Sequence, residues 1–395
     1  MLVENCQTIL CEQVRFLINF DAVKKRIILS VTNDLATDQR VQKVAQTLID
    51  MGAEVSLVGR KLKGSMPVPK FEHHRMRLLF NKGVAFYVEY HIRLFLLLLF
   101  KRADILVAND LDTLLPNYLV SKLKGVQLVY DSHEYFTEVP ELQGSPLKKK
   151  IWLSVERFVF PKLKNVFTVN ISIANIYRQL YQKDIHVLRN VPRRNKTPNN
   201  NRIELRKKLG LPLDKKIIIL QGSGINVSRG GEEAVTAMMH TINSMLYVIG
   251  SGDALPTLKK MVKELQLHNR VVFMAKLPYA QLQDYTACAD AGLTLDKDNN
   301  LNYRYSLPNK LFDYFACGIP VIASSLIEIE RIHQQYNFGI LLKEVTPHSV
   351  AEAINSIDPD SDIYQRWCKT VAIAAENLCW ENEEKIIQEV YKKLL

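Results

Sequence analysis

The chain has 395 residues, of which 47% are apolar, with 52 Lys and Arg against 41 Asp and Glu. That length supports two or three domains with cores of their own, and six cysteines without a CxxC pair argue against a disulfide framework and a zinc site. The excess charge of +11 lies wholly in residues 1–195, with 29 basic and 18 acidic residues against 23 and 23 in the remainder, so the first half either faces something anionic or is simply a solvated basic surface.

Residues 1–25 precede any regular pattern and carry Glu4 and Glu12, which interrupt a signal-peptide reading. With the scattered cysteines this points to a reducing, cytoplasmic compartment. "RIILSV" then reads as a first strand. The turn after it, "SVTNDLATDQRV", has no glycine; Asn33, Asp34, Asp38 and Arg40 stand there instead, suited to sugar hydroxyls or to helix capping. "EVSLVGR" is the next strand. In "YHIRLFLLLLFKRADI" the apolar run is too short to span a bilayer and reads as a buried core helix, with an interfacial helix and snorkelling basic flanks as the alternative.

"ADILVAN" leads into "NDLDTLLP", where Asp110 and Asp112 form a DxD triplet. Such a triplet suits a metal on a diphosphate, but no clustered third ligand accompanies it. "VQLVYDS" ends in "YDSHEYFTE", whose Asp131, His133, Glu134 and Glu138 suit either acid–base work at a strand's carboxyl edge or capping of the next helix. "NVFTVN" closes the first set of strands, and "RNVPRRNKTPNNN" is a polar, turn-rich linker.

The alternation restarts with "KIIILQGS", "SMLYVIGSG", "RVVFMA", "AGLTLD", "PVIAS" and "GILL". Two doubly wound parallel-sheet domains facing a cleft follow from this pattern, with ligand sites at the carboxyl edges. In "QGSGINVSRGGEEAV", Gly222, Ser223, Gly224, Gly230 and Gly231 let backbone amides approach an anion, and Arg229 adds a positive charge. A dinucleotide fingerprint is missing, because neither the third glycine nor a later acidic residue stands at the required spacing. "DKD" at 296–298 is a second DxD. In "SLPNKLFDYFACGIPVIAS", Ser306 or Asn309 can cap a helix, Pro308 suits its first turn and Gly318 its left-handed exit. Lys310 and Asp313 share a face of that helix, as a surface ion pair or as ligand groups. Residues 359–395 are helical in pattern.

"SVTNDLATDQRVQKVAQTL", "YDSHEYF", the glycine-rich turn with Arg229 and above all "LPNKLFDYFACGIPVIAS" resemble the family 4 glycosyltransferases of bacterial surface-polysaccharide synthesis, over about residues 26 to 375. The resemblance implies a GT-B fold: an extension at 1–25, an acceptor-binding domain at 26–192, a linker at 193–202, a nucleotide-sugar domain at 203–375, and a terminal helix at 376–395 crossing back to the first domain. It implies transfer of a hexose-type sugar from a nucleotide diphosphate sugar to a saccharide, including a lipid-linked one, with retention and without a metal or other cofactor. Lys310 and Arg229 would neutralise the diphosphate, Asp313 would hold the donor ribose, Asn309 and residues 222–224 would line the donor site, and His133 would sit by the transferred sugar. Asn33, Asp34, Asp112 and Glu134 fall on the acceptor side. The family's first motif glutamate is replaced by Tyr305, and its phosphate-turn arginine is absent near Ser223. A non-catalytic partner subunit that binds a nucleotide sugar, or a GT-B-type epimerase, is the alternative function. A peripheral contact with the inner face of an anionic membrane fits the basic half, and nucleic-acid binding lacks any supporting motif.

Overall fold

A computed structural model of the chain describes residues 24–63, 65, 67–68, 71–194 and 202–395. The expected extension at 1–25 and linker at 193–202 fall largely outside these residues. The chain divides into two compact units, one holding residues through Asp131 with Lys162–Asn165 and Ile387–Leu395, the other Ser132–Pro161 with Val166–Ile386.

Seven strands form one sheet: β1 (Arg26–Ser30), β2 (Glu54–Arg60), β3 (Glu72–Met76), β4 (Ile105–Asn109), β5 (Gln127–Ser132), β6 (Asn165–Thr168) and β7 (His186–Val187), in the order β3-β2-β1-β4-β5-β6-β7. Every residue of β4 is buried, as expected of a strand covered by helices on both faces. Six more strands form the second sheet: β8 (Lys216–Gly222), β9 (Ser244–Gly250), β10 (Val271–Met274), β11 (Ala291–Thr294), β12 (Val321–Ser324) and β13 (Gly339–Leu342), ordered β10-β9-β8-β11-β12-β13 with parallel pairs. Each sheet reverses its winding once, between β1 and β4 and between β8 and β11. Those two points are where open α/β sheets take ligands.

Alternation along β8 divides the second core. Ile217 and Ile219 pack with Phe312, Phe315 and Phe338 on one face, while Ile218 and Leu220 pack with Leu246, Val248 and Leu258 on the other. The helix Asn309–Ala316 buries Leu311, Phe312, Tyr314 and Phe315, and each Phe contributes about 1.5–3 kcal/mol of transfer free energy. Tyr314 sets its height over the sheet. Its hydroxyl donates to Leu293 O (3.0 Å), and a Cβ on Gly292 would meet its ring at 2.5 Å, so only glycine lets the ring lie on β11. Gly318 follows with φ of 72°, which turns the chain into β12.

Two readings are corrected, and two strands escape the sequence pattern. Pro308 occupies the N-cap position of that helix and no side chain caps it, so neither Ser306 nor Asn309 does so. The apolar run around Leu94–Phe100 belongs to an 18-residue helix, Gly83–Phe100, of which only 22% is buried, so it is not a core helix. Strands β3 and β7 have no apolar signature; Glu72, His73 and His74 are exposed on β3, an edge strand whose charged outer residues protect it from further pairing.

Candidate functional site

The loop after β8 is tied down before it reaches Arg229. Ser251 N donates to Gly222 O (3.0 Å) and Ile225 N to Ser251 O (2.9 Å), which lays the turn after β9 directly on it. A Cβ on Gly250 would meet Gly222 O at 1.8 Å. Close packing of the two turns therefore accounts for Gly250 and the positive φ of 151° for Gly222, whereas Gly224 has nothing nearer than Asn226 Nδ2 at 3.9 Å and keeps an open side. Further on, Ser228 takes a left-handed φ of 67° and accepts from Lys297 N (3.0 Å), linking this loop to the one after β11. Arg229 is fixed between the two strand ends by this link.

Asp296, two residues past β11, is fully buried. Its carboxylate lies 3.7 Å from Arg229 NH1 and 3.9 Å from Lys310 Nζ, and neither oxygen has a hydrogen-bond partner. Arg229 Nε and the buried Ser306 Oγ are also without partners. Buried polar groups are rarely left so, and ordered water or a ligand completes the bonding of such a cluster. Burial, reinforced by Arg229 and opposed by Asp296, holds the Lys310 ammonium below the ordinary lysine value. Burial also works against Arg229, but Asp296, Tyr303 and Glu134 outweigh it and keep the guanidinium charged; that group lies 4.9 Å over the Tyr303 ring.

The carboxylate nearest Lys310 in the described geometry is thus Asp296, and Asp313 accepts from Tyr279 Oη (2.9 Å), so the two neighbours of the helix have separate partners rather than forming the simple surface pair. Asp313 and burial together raise the Tyr279 phenol, burial being the larger cause.

Glu134 follows β5 and is held from the other side of the same unit. Asn302 Nδ2 donates to Glu134 Oε2 (3.1 Å) and Asn302 Oδ1 accepts from Tyr135 N (3.1 Å). Desolvation raises the Glu134 carboxyl, against the opposing effects of Asn302 and Arg229. His133, beside it, is half-buried. Asn170 Nδ2 donates to Tyr305 O (2.7 Å), fixing the backbone at Tyr305. Arg229, Lys310, Glu134, Asp313, Asn309 and His133 all lie in the second unit.

Asn33, Asp34 and Asp112 form their own group in the first unit, at the β1/β4 reversal. Asp34 pairs with Arg75 (2.6 Å), Thr32 Oγ1 donates to Asp112 Oδ2 (2.6 Å), and the exposed Asn33 accepts from Arg60 N (3.2 Å) through its carbonyl. Asp38 caps the helix Gln39–Asp50, and Arg40 forms a bidentate pair with Asp131. Among the described residues, no three His, Cys, Asp or Glu side chains are grouped as a metal site. The sequence reading missed Asn302, Asn170, Tyr303 and Tyr279, and took Asp296 only as half of a DxD.

Two family models match the chain, "Glycosyltransferase Family 4" over residues 38–191 and "Glycosyl transferases group 1" over residues 201–371. The N-acetyl-alpha-D-glucosaminyl L-malate synthase of Bacillus anthracis is 22% identical over 278 residues, covering 67% of this chain and 70% of that protein. Among solved structures, a sucrose-phosphate synthase from Thermosynechococcus elongatus superposes with a TM-score of 0.75 at 18% identity, covering 94% of this chain and 99% of that one. Anabaena HepE, solved in complex with UDP and glucose, gives a TM-score of 0.73 at 13% identity over 93% of this chain and all of that one (100%).

Proposed function

Because the chain belongs to the family 4 glycosyltransferases and has their GT-B architecture of two parallel-sheet domains, we propose that it transfers a hexose-type sugar from a nucleoside diphosphate to a hydroxyl of a saccharide acceptor, with retention of configuration. The observation that carries this reading is that the partly buried Arg229 and Lys310 both face the fully buried carboxylate of Asp296. A diphosphate suits two neighbouring cations, and a UDP complex of a structural neighbour shows such a ligand in that protein.

In the proposed step the bond from the sugar anomeric carbon to the β-phosphate oxygen breaks, its electron pair leaving on the phosphate. Arg229 and Lys310 stabilise that developing charge, where preorganised cations have their largest effect. The acceptor hydroxyl oxygen attacks the same face of the oxocarbenium-like centre, and its proton passes to the departing phosphate. His133 borders the transferred sugar, Asp313 accepts from the ribose, and Asn309, Ser223 and Gly224 line the donor. Asn33, Asp34, Asp112 and Glu134 serve the acceptor. No metal or other cofactor enters the scheme. A cytoplasmic enzyme with a lipid-linked saccharide acceptor, working at the inner membrane surface in surface-polysaccharide synthesis, fits the +11 excess of residues 1–195.

Product stereochemistry tests the scheme: with an α-linked donor, proton NMR of the new linkage is expected to report an α-glycoside, and a β-product would contradict front-face transfer. Lys310 gives a pH prediction as well. Its folded pKa lies below the ordinary lysine value, so diphosphate binding by the free enzyme weakens as pH rises through that lowered pKa. Stability moves the other way, since between the folded and unfolded values the unfolded chain binds more protons and rising pH favours the fold. The alkaline limb of kcat/KM is therefore expected below the ordinary lysine range and should vanish in Lys310→Arg; an unchanged limb would place the titration elsewhere.

A further inference from the structure

The helix Gly83–Phe100 has two apolar faces. Phe86, Tyr90, Leu94 and Leu98 form the buried one, packed with Ile28, Val58 and Leu106 of the sheet. Val84, Val88, Ile92, Leu96 and Phe100 repeat the same four-residue step two positions on, about 200° round the helix. These five side chains are 46% to 81% exposed, and the exposed Leu79 and Phe80 extend their stripe. Both backbone amides of that extension donate to Glu89 (2.9–3.0 Å), which also pairs with Arg93 (2.8 Å). Glu89 is the only acidic residue of the helix and is neutralised in place.

Basic residues frame the stripe. Lys82 stands exposed at its start, Arg102 at its end, and Arg77 and Arg93 alongside. An apolar surface of this extent requires an occupant, and its cationic frame is complementary to phospholipid headgroups. We propose that this face docks the protein on an anionic bilayer, with the helix lying in the interfacial plane. It does not cross: Tyr90 Oη donates to Val31 O, and His91 Nε2 is 2.7 Å from Asp112 O, so the opposite face is bonded into the first unit. Apolar side chains entering the headgroup boundary while flanking Lys and Arg remain at the surface is the physics of interfacial helices. The inference deepens the transferase reading, on which it rests only for the lipid-linked acceptor that docking would bring within reach.

Flotation of the full chain with phosphatidylcholine vesicles, with and without roughly one third phosphatidylglycerol, tests it. Binding to the anionic vesicles is expected to fall about tenfold or more in Val88→Glu/Ile92→Glu/Leu96→Glu, and to fall several-fold in about 0.5 M salt. Lys82→Glu/Arg102→Glu should weaken binding to anionic vesicles alone. All these side chains are exposed, so thermal stabilisation by nucleoside diphosphates should survive in every variant; that readout separates docking from donor binding. Undiminished binding by the triple variant would overturn the proposal, as would a wild-type dimer in sedimentation velocity that Ile92→Glu dissociates, which would put a second copy on the face. Vesicle binding by a wild-type chain that no nucleoside diphosphate stabilises would sink the transferase reading and leave this one standing.

Discussion

Lys310→Ala is expected to lower the transfer rate by about 10²–10³-fold, the usual cost of removing one preorganised group that stabilises transition-state charge. A purely structural role predicts something else. If Lys310 only neutralised Asp296, its loss would leave a fully buried carboxylate with Arg229 alone at 3.7 Å, and breaking a buried charge arrangement costs about 3–5 kcal/mol of stability. The two effects separate in Lys310→Ala/Asp296→Asn. The double variant removes the buried carboxylate but takes the Asp296 partner from Arg229, so it should regain only part of the stability lost by the single one, yet stay as slow. Steady-state kinetics with urea unfolding on the same samples decides it: recovery of both rate and stability would make Lys310 a structural counter-ion.

The second large effect falls on the fold. Asp131→Ala removes a carboxylate that takes Arg40 Nε at 2.9 Å and Arg40 NH2 at 2.6 Å, with side chains only 2% and 4% exposed. A guanidinium left in that place has lost its bidentate partner, and the expected destabilisation is about 3–5 kcal/mol, read from the urea midpoint. Replacing both members, Arg40→Met/Asp131→Leu, should recover most of it, since an apolar pair removes the desolvation penalty along with the attraction. A single variant within 1 kcal/mol of the parent, on the order of an exposed pair, would show that the site is hydrated. The pair joins the helix Gln39–Asp50 to the end of β5, one residue before the segment that carries His133 and Glu134.

The strands that were legible in the sequence are the ones buried on both faces, such as "KIIIL" and "ILVAN", where continuous apolar runs leave little choice of structure. β3 was not, because an edge strand with exposed Glu72, His73 and His74 has no pattern to read. The helix Gly83–Phe100 was misjudged for a related reason: its side chains are apolar on two opposite faces, so periodicity alone does not tell the packed face from the exposed one. At the site, Arg229, Lys310 and Asp313 could be named from local geometry and resemblance. Their partners could not. Asp296 and Tyr279 meet them only through the order of strands in the sheet, and Asn302 reaches Glu134 across 168 positions of chain. Gly250 has a reason other than anion binding, since it admits the backbone of Gly222, and Gly222 itself takes a φ of 151°.

The central claim is that Arg229 and Lys310 wait for a diphosphate. Thermal unfolding against a panel of nucleoside diphosphates and nucleotide sugars, with and without EDTA, tests it most directly, because a ligand bound only by the native state raises the midpoint by mass action. The expected result is stabilisation by one nucleoside diphosphate, insensitive to EDTA and lost in Arg229→Ala and in Lys310→Ala/Asp296→Asn. Stabilisation by none of them, or an undiminished shift in both variants, would contradict it.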